Sequence, residues 1–176
     1  IYLVAPKLSK AKDTNIRNTS FSMIIAHFGV GIMILGITGS SVWQEEKITQ
    51  MNVSDKTIIK NYNIVFKEII KVEGENYYAI QGNFWVYNEK NQIITTLKPE
   101  NRFYPATNNS TTEASIHTNL LRDLYMVIGD GNINDGWVVR IYYNPLVIWI
   151  WIGVAIIFIG GLFALRKNLN TLEHSQ

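Results

Sequence analysis

The stretch FSMIIAHFGVGIMILGITGSSV, Phe21 to Val42, runs for 22 residues without Asp, Glu, Lys or Arg. A helix of that length rises about 33 Å, enough to cross the roughly 30 Å hydrocarbon core of a bilayer. A second charge-free run of 22 residues, Asn144 to Leu165, lies toward the other end. Together they read as a membrane protein. Only 17% of the 176 residues are charged, against about a quarter in an ordinary soluble chain.

Working outward from the two runs, the charges give a topology. Residues 1–20 hold Lys7, Lys10, Lys12 and Arg17 against Asp13 alone, and Arg166-Lys167 follow the second run. Lys and Arg near span ends mark the cytoplasmic side, so both termini, 1–20 and 166–176, are expected there. The spans are then 21–42 and 144–165, and residues 43–143 form a domain on the outer face, the periplasm in a bacterium. That domain carries ten basic and twelve acidic residues. Trp43, Tyr142, Tyr143, Trp149 and Trp151 suit an interfacial aromatic belt.

Other classes fall away. Without cysteine there is no disulfide scaffold, thiolate nucleophile or Cys-type zinc site. A net charge of +2 spread along the chain gives no basic stripe for nucleic acid. Twenty mixed residues precede the first apolar run, unlike a secretory signal. The start at Ile1, without Met, reads as a piece of a longer protein.

The middle reads mainly as β. Ile58–Val72, Tyr77–Tyr87 and Gln92–Leu97 are rich in β-branched and aromatic residues, separated by turn residues at 73–76 and 88–91. Asn101–Thr112, with Pro105 and a run of Asn, Ser and Thr, reads as an irregular loop. Residues 113–128 fit helix or strand, and 136–143 a last strand. The fold class expected is two transmembrane α-helices flanking a small, mainly-β periplasmic domain of five or six strands.

His27 is the only ionisable side chain in either run, about 9 Å along the helix from Phe21. An imidazole at that depth costs free energy unless it has a partner, which makes it a functional-site candidate. Its neutral nitrogen suits haem iron. Gly31, one turn on, leaves room for a flat macrocycle. Ser22, Ala26, Gly29, Gly36 and Ser40 form an adjacent stripe of small residues, matched by Gly153, Gly160 and Ala164 in the second run, which permits close helix approach. From physics alone two readings of His27 stand, haem ligation and a hydrogen bond to a neighbouring helix.

An ordered set of motifs carries more. Ala26-His27-Phe28-Gly29 opens a span. Then follow Leu97-Lys98-Pro99-Glu100-Asn101-Arg102-Phe103-Tyr104, Thr112-Glu113-Ala114-Ser115-Ile116, Asp123-Leu124-Tyr125 with Gly129, Trp137-Val138-Val139-Arg140, and Pro145-Leu146-Val147-Ile148-Trp149-Ile150-Trp151-Ile152-Gly153 with Gly160-Gly161. This series resembles the C-terminal part of the CcmF family of cytochrome c-type biogenesis proteins. The resemblance implies a subunit of the bacterial cytochrome c haem lyase in the inner membrane. Such a subunit takes haem from the haem chaperone CcmE and, with CcmH, attaches it to apocytochrome c. It also implies a b-type haem (haem b) with His27 as one axial iron ligand. Family members are several times longer. Their tryptophan-rich haem-handling segment, paired periplasmic histidines and second axial histidine have no counterpart in residues 1–176, so the remainder of a CcmF-like protein is an expected partner alongside the lipid bilayer. This chain alone is expected to supply one b-haem ligand and not to catalyse ligation.

The remaining candidates read as structural. His117 and His174 are lone histidines. Glu100, Arg102, Glu113, Arg122, Asp123 and Arg140 invite an acid–base role but lack a nucleophile, and paired arginines and carboxylates knitting a β domain is the simpler account. Phe84, Trp85, Trp137, Phe103, Tyr104 and Tyr77-Tyr78 suit a β core and rim, with an exposed aromatic shelf as the sharper alternative. The main rival function is a two-span scaffold whose outer domain binds another protein without haem; a hydrolase using Glu100 or Glu113 is a second.

Overall fold

A computed structural model describes residues 8–173, with side-chain surroundings given for 21–166. His174 lies outside the described residues. The chain divides into a helical unit and a β unit.

The helical unit is built from α1 (Leu8–Val42) and α2 (Val147–Glu173). Two segments, Phe21–Val42 and Val147–Arg166, are long and apolar enough to cross a membrane. Strand pairing continues through Pro145, so α2 opens at Val147 rather than where the charge-free run begins. The two helices meet through the small-residue stripe. A methyl group placed on Gly29 would sit 2.8 Å from the Gly153 carbonyl oxygen, and one on Gly153 would sit 2.6 Å from the Met33 nitrogen. Backbones this close leave space for hydrogen alone, and in lipid such contacts hold helices together through dispersion. Gly160 lies against Ser22 and Ala26, and Gly36 against Ile150. The paired positions rise along α1 as they fall along α2, so the helices are antiparallel.

The β unit is a two-sheet sandwich of ten strands, all pairings antiparallel. One sheet has the order β1 (Glu45–Met51), β10 (Gly136–Pro145), β9 (Arg122–Asn132), β8 (Ser115–Thr118). The other runs β2 (Lys56–Ile59), β3 (Tyr62–Glu73), β4 (Tyr78–Tyr87), β6 (Glu100–Tyr104), β7 (Asn109–Glu113), with β5 (Ile93–Leu97) also on β4. Strands β5 and β6 share one side of β4: β5 pairs with Phe84–Tyr87 and β6 with Tyr78–Gln81. Between them Pro99 has no N–H to give to the ladder; its carbonyl accepts from the Gly82 nitrogen at 3.0 Å.

Period-two alternation builds the core. Leu124, Met126 and Ile128 on β9 and Val139 and Ile141 on β10 meet Ile64, Phe66, Phe84 and Val86 of the other sheet. Phe66 stacks on Phe84 at 4.3 Å between centroids, and Trp137 meets Phe66 edge-on at 6.0 Å.

The strand count exceeds the five or six expected. The expected single strand 58–72 is a hairpin, broken where Lys60 takes a positive φ of 48°. The expected loop 101–112 is the β6–β7 hairpin; all of β7 is exposed, so it carries no burial signal in its sequence. The ambiguous stretch 113–128 resolves into β8 and the first part of β9, divided at Asn119.

The close helix contact is testable at Gly153, where a Cβ would lie 2.6 Å from the Met33 nitrogen. Gly153→Leu forces the backbones apart and is expected to lower the thermal unfolding midpoint in detergent by several degrees when followed by helical circular dichroism, whereas Gly161→Leu, at a position with nothing within 4 Å, is expected to leave it unchanged.

Candidate functional site

The site begins with the geometry of α1. Residues two apart on a helix point about 200° apart, so His27 stands on the side opposite Gly29 and hence away from α2. The imidazole is exposed, and its Nδ1 lies 2.8 Å from the Met23 carbonyl oxygen one turn back. A carbonyl only accepts, so Nδ1 carries the proton and donates. In the neutral tautomer compatible with this bond, Nε2 carries the lone pair. Metal-binding histidines are commonly oriented in this way, with the second ring nitrogen donating to a carbonyl.

Around that nitrogen the surface is open and apolar. A Cβ on Gly31 would meet nothing within 4 Å. Ile24, Phe28 and Leu35 are exposed on the same side. The hydrogen bond of His27 runs within its own helix and not to α2, so the helix-to-helix bond considered from sequence is not formed between these two helices. One nitrogen donor, an open position at Gly31 and apolar flanks would suit His27 as a ligand to the metal of a flat macrocycle. No group of three or more His, Asp or Glu that could hold a bare metal ion occurs among the described residues.

The polar groups of the β unit are engaged otherwise. Glu100 accepts from Gln81 Nε2 at 2.6 Å and from Arg102 Nε at 2.8 Å. Arg102 Nη1 also reaches Glu113 at 3.3 Å, and its guanidinium lies over the Tyr77 ring at 4.6 Å. This knot ties β4, β6 and β7 and holds the Arg102 charge more firmly than usual, chiefly through Glu100. A carboxylate so committed is poorly placed as a general base. Arg122 does not join it. At 2% exposure it lies over the Tyr62 ring at 4.2 Å, donates Nε to the Tyr62 hydroxyl at 2.8 Å and reaches the His117 carbonyl at 3.4 Å. Asp123, next in sequence, points to the other face of the sheet. Arg140 is exposed on that outer face.

The aromatic residues divide. Phe84 and Trp137 are core, whereas Tyr78 and Phe103 are exposed along a cleft of about 480 Å³ that also takes in Lys71 and Asp130. Trp85 packs against Tyr87 and lies under Lys67. Sequence reasoning missed the burial of Arg122, although its spacing of two from Leu124, Met126 and Ile128 places it on the inward face.

The family model "CcmF C-terminal beta-sandwich" matches residues 42–145, more than half of the chain. The chain belongs to the CcmF family. It is 34% identical over 150 residues to the cytochrome c-type biogenesis protein CcmF of Escherichia coli (strain K12), covering 84% of this chain and 23% of that protein. It is 35% identical over 143 residues to the cytochrome c-type biogenesis protein ccl1 of Rhodobacter capsulatus, covering 81% and 22%. A solved structure titled "Cytochrome c Heme Lyase CcmF" shares the fold, with a TM-score of 0.66 at 18% identity over 85% of this chain and 25% of that one. The chain thus spans about a quarter of the length of these CcmF proteins. Membership agrees with two apolar helices flanking, in sequence, a mainly-β domain.

His117 offers a check on the β unit. Burial first, and the Arg122 charge second, push its pKa below the ordinary 6.5. The unfolded chain therefore takes up the proton before the folded one, and stability falls as pH drops through about 6.5. The denaturation midpoint is expected to be lower near pH ~5.5 than near pH ~7.5, and His117→Gln to shrink that difference when both are followed by tryptophan fluorescence.

Proposed function

We propose that this chain is the C-terminal portion of a CcmF-like subunit of the bacterial cytochrome c haem lyase. It binds a b-type haem within the inner membrane and helps pass haem from the haem chaperone to apocytochrome c. The apolar helices cross the membrane, residues 43–143 stand in the periplasm, and both ends of the chain lie in the cytoplasm. CcmE, CcmH and the remainder of the CcmF-like protein are the partners, and the second axial ligand comes from outside this chain.

The observation that carries the reading is the Nδ1–Met23 hydrogen bond of His27, on an exposed helix face beside the open position Gly31. Each residue has a task. Met23 holds the imidazole in one tautomer and one orientation through its carbonyl. His27 offers Nε2 to iron. Gly31 would leave space for the macrocycle, and Ile24 and Phe28 would give it apolar surroundings. Bound there, the haem supplies a one-electron redox centre, and the protein's share is ligation, orientation and tuning. The charge pattern supports the orientation: the described tail opens with Arg166-Lys167 directly after the apolar part of α2.

The test is the absorption spectrum of the full-length membrane complex, wild type against His27→Ala. Loss of the low-spin b-type signal by roughly tenfold or more, with the protein still in the membrane fraction, is the expected result. An unchanged spectrum overturns the assignment and leaves a haem-free scaffold as the better account.

A further inference from the structure

The turn between β8 and β9 is unusual in what it displays. Asn119 builds it: the Oδ1 accepts from the backbone nitrogens of Leu121 and Arg122, both at 2.9 Å, and the Asn119 nitrogen donates to the Arg122 carbonyl at 3.0 Å. At its tip stand Leu120 and Leu121, 67% and 68% exposed. Tight turns ordinarily present Gly, Asn, Asp or Ser, and neither leucine belongs to the sandwich core.

The position of the tip explains them. The Leu121 carbonyl accepts from the Leu146 nitrogen at 2.9 Å, and Leu146 immediately precedes the first residue of α2, where the apolar span begins. Leu146 itself adopts a positive φ of 59°, a left-handed conformation uncommon for leucine. Its side chain lies against Gly39 in the last turn of α1, within the same compact unit. The tip is therefore bonded to the residue that precedes α2, and that residue packs on the last turn of α1. Two other turns share this end of the domain by register, Lys60-Asn61 and Asn88–Asn91. Both are polar, and Lys60 is ion-paired with Glu45 at 2.7 Å. Of these three turns at the same end of the domain, the one that displays apolar side chains is the one bonded to the residue before α2.

We infer that the Leu120-Leu121 tip inserts into the boundary between lipid headgroups and acyl chains, giving the β domain an attachment to the bilayer besides its two helices. The occupant of this apolar patch is a lipid surface. Lipid is favoured because the tip is hydrogen-bonded to Leu146, one residue before the apolar segment that is long enough to cross a membrane, and because two exposed leucines offer the apolar area that interfacial insertion buries. Beneath it, buried Arg122 stacked on Tyr62 closes the base of the turn, so the leucines are held outward and not folded onto the core.

The absence of native cysteine permits single-site labelling. The full 176-residue chain carrying Leu121→Cys or, separately, Leu120→Cys is reconstituted into phosphatidylethanolamine–phosphatidylglycerol vesicles and labelled with an environment-sensitive fluorophore. Ile133→Cys, at the opposite end of the sandwich and 84% exposed, is the reference. The expected result at 120 and 121 is blue-shifted emission, loss of most of it to lipids bearing a nitroxide high on the acyl chain, and protection from aqueous iodide. Ile133→Cys is expected to show the reverse. Iodide quenching at 120 and 121 equal to that at 133 overturns the inference. So does protection from both quenchers, which means that protein covers the tip. Neither result depends on whether haem binds at His27.

Discussion

A peptide group inside a bilayer has no water to bond, so the chain must satisfy its own backbone wherever it crosses. That constraint divides this protein. Between 21 and 42, and again from 147, backbone hydrogen bonds are all internal to a helix, and apolar side chains face outward. Between the two, where water is present, the same chain satisfies its backbone across strands and buries its apolar groups against each other. The single imidazole in the apolar segments obeys the rule as well: its Nδ1 is bonded to the Met23 carbonyl of its own helix.

The two faces of α1 have separate duties. Ser22, Ala26, Gly29 and Gly36 supply a surface flat enough for backbone contact with α2, which fixes the rotation of the helix about its axis. With that rotation set, His27 and Gly31 stand on the far side. A change at the glycine seam would therefore turn the imidazole without touching it. The face used for pairing and the face that bears His27 are thus distinct.

Much of this was legible in the sequence. Twenty-two residues without a charge have few interpretations, and the small-residue stripe predicted close helix packing correctly because only backbone approach rewards Gly and Ser at that spacing. The β character of the middle was plain from Ile, Val, Tyr and Phe. The individual strands were less so. Strand β7, Asn109–Glu113, buries nothing and hence shows no alternation. The hairpin at Lys60 depends on one residue of positive φ that is not glycine. The division at Asn119 depends on a side chain capping a turn, and Arg122 was hidden because a charge in an apolar series reads as a surface residue. Candidate site residues were found from depth alone, but the orientation of His27 needed the hydrogen bond to Met23.

The pairing of β1 with β10 has a mechanical consequence. The strand that follows one crossing helix lies beside the strand that precedes the other, in register from Glu45 with Tyr143 to Met51 with Trp137. A load applied to one of these strands along its own direction therefore passes into its neighbour through a ladder of seven paired residues, and opposes those hydrogen bonds together in shear instead of one at a time.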